Sequence, residues 1–75
     1  FMRIISQNDK NDIPYGLCSL EEGENNGGTY TIEAVVFTLK AFMGEYETEE
    51  RAKEILQEIR ERYDVGAKFY VMPKK

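Results

Sequence analysis

The side chains that most often carry out acid–base, nucleophilic or metal chemistry are nearly absent from this 75-residue chain. It has no histidine and a single cysteine, Cys18. Without histidine, Ser-His-Asp and Cys-His pairs cannot form, and the commonest zinc ligand is missing. Cys18 lies in a segment that reads as a strand, where an isolated cysteine is usually a small buried apolar residue. We therefore expect no catalytic residue, no cofactor and no enzymatic activity.

One acidic segment offers a candidate cation site. It matches EF-hand loop positions 1, 3, 5, 6 and 12 in residue class, with Glu22, Glu24, Asn26, Gly27 and Glu33. An EF-hand normally begins with Asp and lies between helices, whereas the residues around Glu33 have strand character. Asn-Gly and Gly-Gly also supply the positive φ angles of a tight turn. We therefore interpret this segment as a hairpin turn and predict no metal.

The formal charge of −4, from 14 acidic and 10 basic residues, repels a phosphate backbone, so we expect no direct nucleic-acid binding. An alternative is that the protein mimics nucleic acid and occupies a nucleic-acid-binding partner. The carboxylates from Glu45 to Glu50 and on the outer face of the following helix would then imitate phosphates. Lys53, Arg60 and Arg62 interrupt that acidic series.

One amphipathic helix is predicted after Thr48, which can cap its first turn, with Glu49 and Glu50 at the positive end of its dipole. Gly66 suits a left-handed C-cap, so the helix should end near Asp64. The outer face carries favourable pairs four residues apart, Glu49 with Lys53 and Glu58 with Arg62. The buried face is formed by residues at helical spacing: Ala52, Ile55, Leu56, Ile59 and Tyr63.

Five strands are predicted from β-branched and aromatic runs between turn residues. Ile13-Pro14 is extended before the second of them. They are Met2–Ser6, Tyr15–Leu20, Thr29–Phe37, Ala41–Glu47 and Ala67–Met72. Residues 31–43 also fit helical spacing, with Thr31 as a cap and Gly44 as a stop. The strand interpretation is favoured by residue type, although residues 38–41 contain no usual turn former.

The order β-β-β-β-α-β predicts an α+β fold, a mostly antiparallel sheet of four to five strands with one helix packed on one face. The last strand should run parallel to the strand before the helix, through a right-handed crossover. We treat residues 1–75 as one small domain and Phe1 as foreign to the natural protein, since Met2 resembles a natural start.

The last strand has apolar residues on both faces, Phe69 and Val71 on one and Tyr70 and Met72 on the other. A single helix covers only one face of a sheet, so the other face should be polar unless it is an interaction surface. We therefore predict that these four residues bind a protein partner or a second copy in a homodimer.

The chain has no apolar run of transmembrane length and no signal peptide, and its lone cysteine suits a reducing compartment. We expect a cytoplasmic protein that does not bind membranes.

Three phrases resemble small uncharacterised proteins of phages and prophages of Gram-positive bacteria. They are Met-Arg-Ile-Ile-Ser-Gln at 2–7 with Asp9, Asp-Ile-Pro-Tyr at 12–15, and Glu-Tyr-x-Thr-Glu-Glu-Arg-Ala-Lys at 45–53. The resemblance covers both ends of the chain, and residues 16–41 depart from it. It implies a phage-type accessory protein in a bacterial host and an α+β fold, and it transfers no catalytic residue.

Overall fold

Two three-stranded sheets and one long helix form the computed structural model, which describes residues 1–75. The elements are β1 (Arg3–Ile5), β2 (Asp12–Pro14), β3 (Ser19–Glu24), β4 (Tyr30–Val36), β5 (Leu39–Tyr46), α1 (Glu49–Asp64) and β6 (Phe69–Val71). The mixed sheet has the order β2-β1-β6, with β1 antiparallel to β2 and parallel to β6. The antiparallel sheet has the order β3-β4-β5. The predicted α+β class with one helix is confirmed, but the prediction of a single sheet is wrong.

The split into two sheets arises within the strand predicted from Tyr15 to Leu20. Pro14 ends β2, and residues Tyr15–Leu17 form a short 3₁₀ helix before the chain becomes extended again at Cys18. Proline has no N–H to donate to a ladder, so it ends strand pairing readily. The turn sends β2 into the mixed sheet and β3 into the antiparallel sheet.

Residues 31–43 form strand, turn and strand, so the helical alternative is wrong. Val36 pairs with Leu39, which leaves Phe37 and Thr38 as a two-residue turn. The ladder between β4 and β5 shifts register at one point, between Ile32 and Glu33.

The helix forms as predicted because its signals are local. Thr48 accepts a hydrogen bond from the Arg51 amide at 3.1 Å, and Gly66 adopts a φ of 82° just beyond the end of α1. The Glu49–Lys53 ion pair is present at 3.7 Å. The predicted ion pair between Glu58 and Arg62 does not form, because the Glu58 carboxylate accepts a hydrogen bond from the Tyr70 hydroxyl instead.

The last strand, β6, is not in one sheet with β5, as the predicted parallel arrangement with a right-handed crossover required. It lies instead in the other sheet, parallel to β1, with Ile4 opposite Tyr70. The local sequence of α1 and its connections does not determine which strand β6 pairs with. That pairing depends on how the elements pack in the core.

Eleven buried apolar residues from both sheets and α1 form one core. Each sheet therefore buries one face against the helix. The members are Met2, Ile4, Ile32, Ala34, Met43, Tyr46, Ala52, Ile55, Ile59, Tyr70 and Met72.

Gln7 joins the two sheets to the C-terminal segment. Its backbone N–H donates to the Met43 carbonyl at 2.7 Å. Its side-chain Oε1 accepts from the Glu45 amide at 3.1 Å, while Nε2 donates to the Glu45 carbonyl at 3.2 Å. The same Nε2 lies 3.1 Å from the Pro73 carbonyl and 2.8 Å from the Lys74 carbonyl. One amide thus covers part of the open edge of β5 and holds the segment after β6 against it.

Replacing Gln7 with alanine should lower the free energy of unfolding by about 1 to 2 kcal/mol, because several backbone groups lose their partner together. Urea unfolding followed by circular dichroism measures the change. The matched control is Gln57→Ala, since Gln57 is exposed on α1 and its hydrogen bonds are 3.4 Å long. Equal stability changes for the two variants would contradict the linking role of Gln7.

Gly44 is required by close packing. A Cβ built there would lie 2.6 Å from the Tyr46 hydroxyl oxygen and 2.8 Å from a ring carbon of the same residue. Gly44→Ala should therefore displace the ring and destabilise the protein by about 1 to 3 kcal/mol. Gly23→Ala in β3 is the control, since a Cβ added at Gly23 would meet nothing within 4 Å. Thermal melts that shift equally for both variants would refute this assignment.

Candidate functional site

The four residues predicted to bind a partner lie at β6, but the core takes two of them. Tyr70 and Met72 are 5 % and 1 % exposed, and they belong to the core that packs on the helix. Phe69 and Val71 are 55 % and 48 % exposed on the opposite face. Only Phe69 and Val71 are therefore accessible to another molecule without unfolding.

The backbone of β6 has an open edge at these two residues. The Arg3 amide donates to the Lys68 carbonyl at 3.1 Å, and the Met72 amide donates to the Ile5 carbonyl at 2.9 Å. In a parallel ladder, alternate residues direct both their N–H and C=O groups to the same neighbour. The residues between them, Phe69 and Val71, consequently direct theirs away from β1, and the sheet order places no strand on that side.

The outer face of the mixed sheet continues this accessible surface. Phe69 lies opposite Arg3, and Val71 lies opposite Ile5. The Arg3 guanidinium forms an ion pair at 2.9 Å with Asp12 of β2, the strand on the side of β1 away from β6. The surface next to the open edge is therefore apolar, with a paired charge beside it.

Tyr70 is a structural group rather than an accessible acid. Its hydroxyl donates to Glu58 Oε1 at 2.6 Å. Burial, and then the hydrogen bond to the Glu58 carboxylate, raise the pKa of Tyr70 above its ordinary range. The Tyr46 hydroxyl donates to the Pro73 carbonyl at 2.8 Å, and burial raises the pKa of Tyr46 to about 12. Both hydroxyls stay protonated at neutral pH and hold α1, β5 and β6 together.

A polar cleft of about 610 Å³ lies where β5 meets α1 and the C-terminal segment. Arg51 donates from Nε and Nη2 to the Lys75 carbonyl oxygen at 3.0 and 2.9 Å, and from Nη1 to Glu54 at 3.0 Å. The Glu45 carboxylate accepts from Thr29 Oγ1 at 2.6 Å and from Asn25 Nδ2 at 3.0 Å. These polar groups already have partners within the chain. We therefore interpret the cleft as a structural contact that joins β5, α1 and the C-terminal segment.

The residues of the EF-hand-like pattern do not converge. Glu22 and Glu24 lie on β3, and Glu33 lies on β4 opposite Glu21. No group of three or more His, Cys, Asp or Glu side chains is placed to hold a metal ion.

The acidic series considered for nucleic-acid mimicry is interrupted by positive charge. Glu49 pairs with Lys53, and Glu54 pairs with Arg51 on the same helix at 3.0 Å. No observation favours this alternative over protein binding.

Sequence reasoning missed the exposed apolar residues at one end of the antiparallel sheet. Leu17, Phe37 and Leu39 are 68 %, 96 % and 74 % exposed. The signal in the sequence was the absence of turn-forming residues around position 38, which marks an unusual turn.

No helix in the structure has the length and apolar character needed to cross a membrane.

Comparisons with the profiles of protein families, with curated proteins and with solved structures found no match to this chain. The resemblance to phage proteins is neither supported nor opposed by them and stays a prediction.

The raised pKa of Tyr46 makes stability depend on alkaline pH. Its folded-state pKa of about 12 exceeds the unfolded value of about 10. Below about pH 10, Tyr46 is protonated in both the folded and the unfolded protein, so the free energy of unfolding does not depend on its titration. As pH rises from about 10 toward 12, the unfolded state alone loses the proton, and the free energy of unfolding falls by about 2 to 3 kcal/mol. Urea unfolding at several alkaline pH values should show a flatter decline for Tyr46→Phe. Parallel declines would contradict the assignment, since every other titrating group is common to both proteins.

Proposed function

We propose that this chain is a non-enzymatic protein-interaction module, an accessory protein of phage or prophage type, that binds an extended segment of a partner along β6. The observation that carries this proposal is the open edge at Phe69 and Val71, where unpaired backbone groups and half-exposed apolar side chains coincide. Addition of a strand to an exposed edge is a recurrent mode of peptide recognition, in which backbone hydrogen bonds supply affinity and alternate side chains supply specificity.

The chemistry of β6 defines the partner segment. An added strand would place alternate side chains beside Phe69 and Val71, so apolar residues at every second position are expected. Lys68 is exposed, precedes the strand and forms no ion pair. A carboxylate at the corresponding end of the partner segment would complement its charge.

The proposal is tested by selecting binders from a random peptide library on the immobilised protein. Peptides with alternating apolar residues should be enriched on the natural protein. Val71→Pro should weaken their binding at least tenfold, because proline removes the outward N–H and places its ring on the open edge. The backbone hydrogen bonds of β1 go to the residues on either side of Val71, so the pairing of β1 with β6 is preserved.

Val71→Thr is the matched control, since it keeps the outward N–H and a β-branched side chain. It should retain most of the binding that Val71→Pro loses. Enrichment of no peptide, or equal binding to Val71→Pro and the natural protein, would overturn strand addition at β6. The same pair of variants then sorts proteins captured from a bacterial lysate into those that depend on this edge and those that do not.

A further inference from the structure

Phe37 occupies a backbone conformation that is unfavourable for its side chain. Its φ is 58°, and it is the first of two residues in the turn between β4 and β5. A positive φ at this first position is normal for glycine in two-residue hairpins, whereas a bulky residue there is an outlier. Residues held in such conformations cluster at functional positions, where the strain of about 1 to 3 kcal/mol is offset elsewhere.

The same side chain is 96 % exposed, and two further exposed apolar residues, Leu17 and Leu39, lie close to it along the chain and the β-ladder. Leu39 begins β5, and Leu17 lies two residues before β3, whose first residue pairs with Val35. The ladder therefore brings Leu17, Phe37 and Leu39 to one end of the antiparallel sheet, and we call these three residues the apolar tip. Summed over the three side chains, on the order of 400 Å² of apolar surface remains in water.

A groove lined by four apolar and two polar residues lies next to Leu17, between the open edge of β3 and α1. Its volume is about 290 Å³, large enough for one aromatic side chain. Tyr15 in its wall packs on Tyr63 with ring centroids 4.9 Å apart. The residues lining the groove are Tyr15, Cys18, Ser19, Leu20, Leu56 and Arg60.

We propose that the chain forms a two-fold homodimer in which Phe37 of each copy enters the groove of the other. The tip and the groove adjoin, since Leu17 belongs to the tip and Cys18 to the groove. A two-fold axis near Leu17 can therefore place each tip in the opposite groove, and such a reciprocal contact closes at two copies. This dimer is independent of strand addition at β6.

The groove also offers an aromatic ring a cation to stack on. Arg60 forms no ion pair, and its hydrogen bond to Gln57 Oε1 is 3.4 Å long. A guanidinium without a carboxylate partner is available to stack on the incoming Phe37 ring.

The area available limits the strength of this dimer. Two tips remove on the order of 800 Å² from water, and the groove walls that they cover bring the total near the roughly 1,200 Å² at which stable specific interfaces begin. Each copy carries a net charge of −4, so the copies repel at long range. The dimer should therefore be weak, and it should strengthen as salt screens this repulsion.

Sedimentation velocity over a series of protein concentrations, at low and high salt, tests the dimer. Phe37→Asn should weaken association at least tenfold while leaving thermal stability equal or higher, because asparagine tolerates a positive φ. Val65→Asn is the control, since Val65 is 79 % exposed and belongs neither to the tip nor to the residues lining the groove. A natural protein that is monomeric at every concentration, or a dimer that Phe37→Asn leaves intact, would overturn the proposal. Loss of the dimer in Val71→Pro but not in Phe37→Asn would instead place the contact on β6.

The native cysteine in the groove gives a second measurement. Thr38→Cys adds a thiol beside Phe37 while keeping the ring. Under mild oxidation, this thiol should form a disulfide with Cys18 of the other copy, seen as a dimer on a non-reducing gel and located by peptide mass spectrometry. Adding Phe37→Asn to this variant should reduce the dimer band severalfold. A dimer joined only through two copies of position 38, or a band that Phe37→Asn does not reduce, would exclude insertion into the groove.

Discussion

The fold depends on satisfying the backbone groups where its two small sheets meet. A sheet edge that is buried without partners costs free energy at each unpaired N–H and C=O group. In this chain, the Gln7 backbone and side chain supply those partners to β5, and the Asn11 side-chain amide donates to the Phe42 carbonyl at 2.8 Å. The same loop contacts the segment after β6. Because this one loop joins β1, β5 and the C-terminal segment, two three-stranded sheets share a single core.

That arrangement determines which surfaces remain for function. The core is small, and Tyr70 of β6 and Met72, the residue just after β6, are needed to complete it. With β1 on one side of β6 and the helix on its inner face, the free edge and the outer face remain accessible. The apolar tip lies on the other sheet, at the end of the hairpin between β4 and β5. Phe37 and Leu39 of the tip lie at the hairpin of the antiparallel sheet, whereas β6 belongs to the mixed sheet, so the two proposed contacts use different strands.

The elements that were predicted well are those whose signals are local. The cap at Thr48 and the glycine at position 66 define the ends of α1, because each acts on backbone groups within one helical turn. The 3₁₀ turn after Pro14 was missed, since its residues also suit a strand and only the separation of the two sheets requires a turn there.

The amino-acid sequence by itself determined the class of fold, the helix, three residues of its buried face (Ala52, Ile55 and Ile59) and the alternation of apolar residues along β6. Tyr63, which was also predicted on that face, is 48 % exposed. Only the tertiary structure decided that β6 pairs with β1, that Tyr70 and Met72 face the helix, and that Leu17, Phe37 and Leu39 meet at one end. The physical reason is the range of the interactions. Capping and periodicity act within a few residues, whereas strand order and the accessible face of a strand depend on contacts between residues far apart in the chain, such as Gln7 with Glu45 and Pro73.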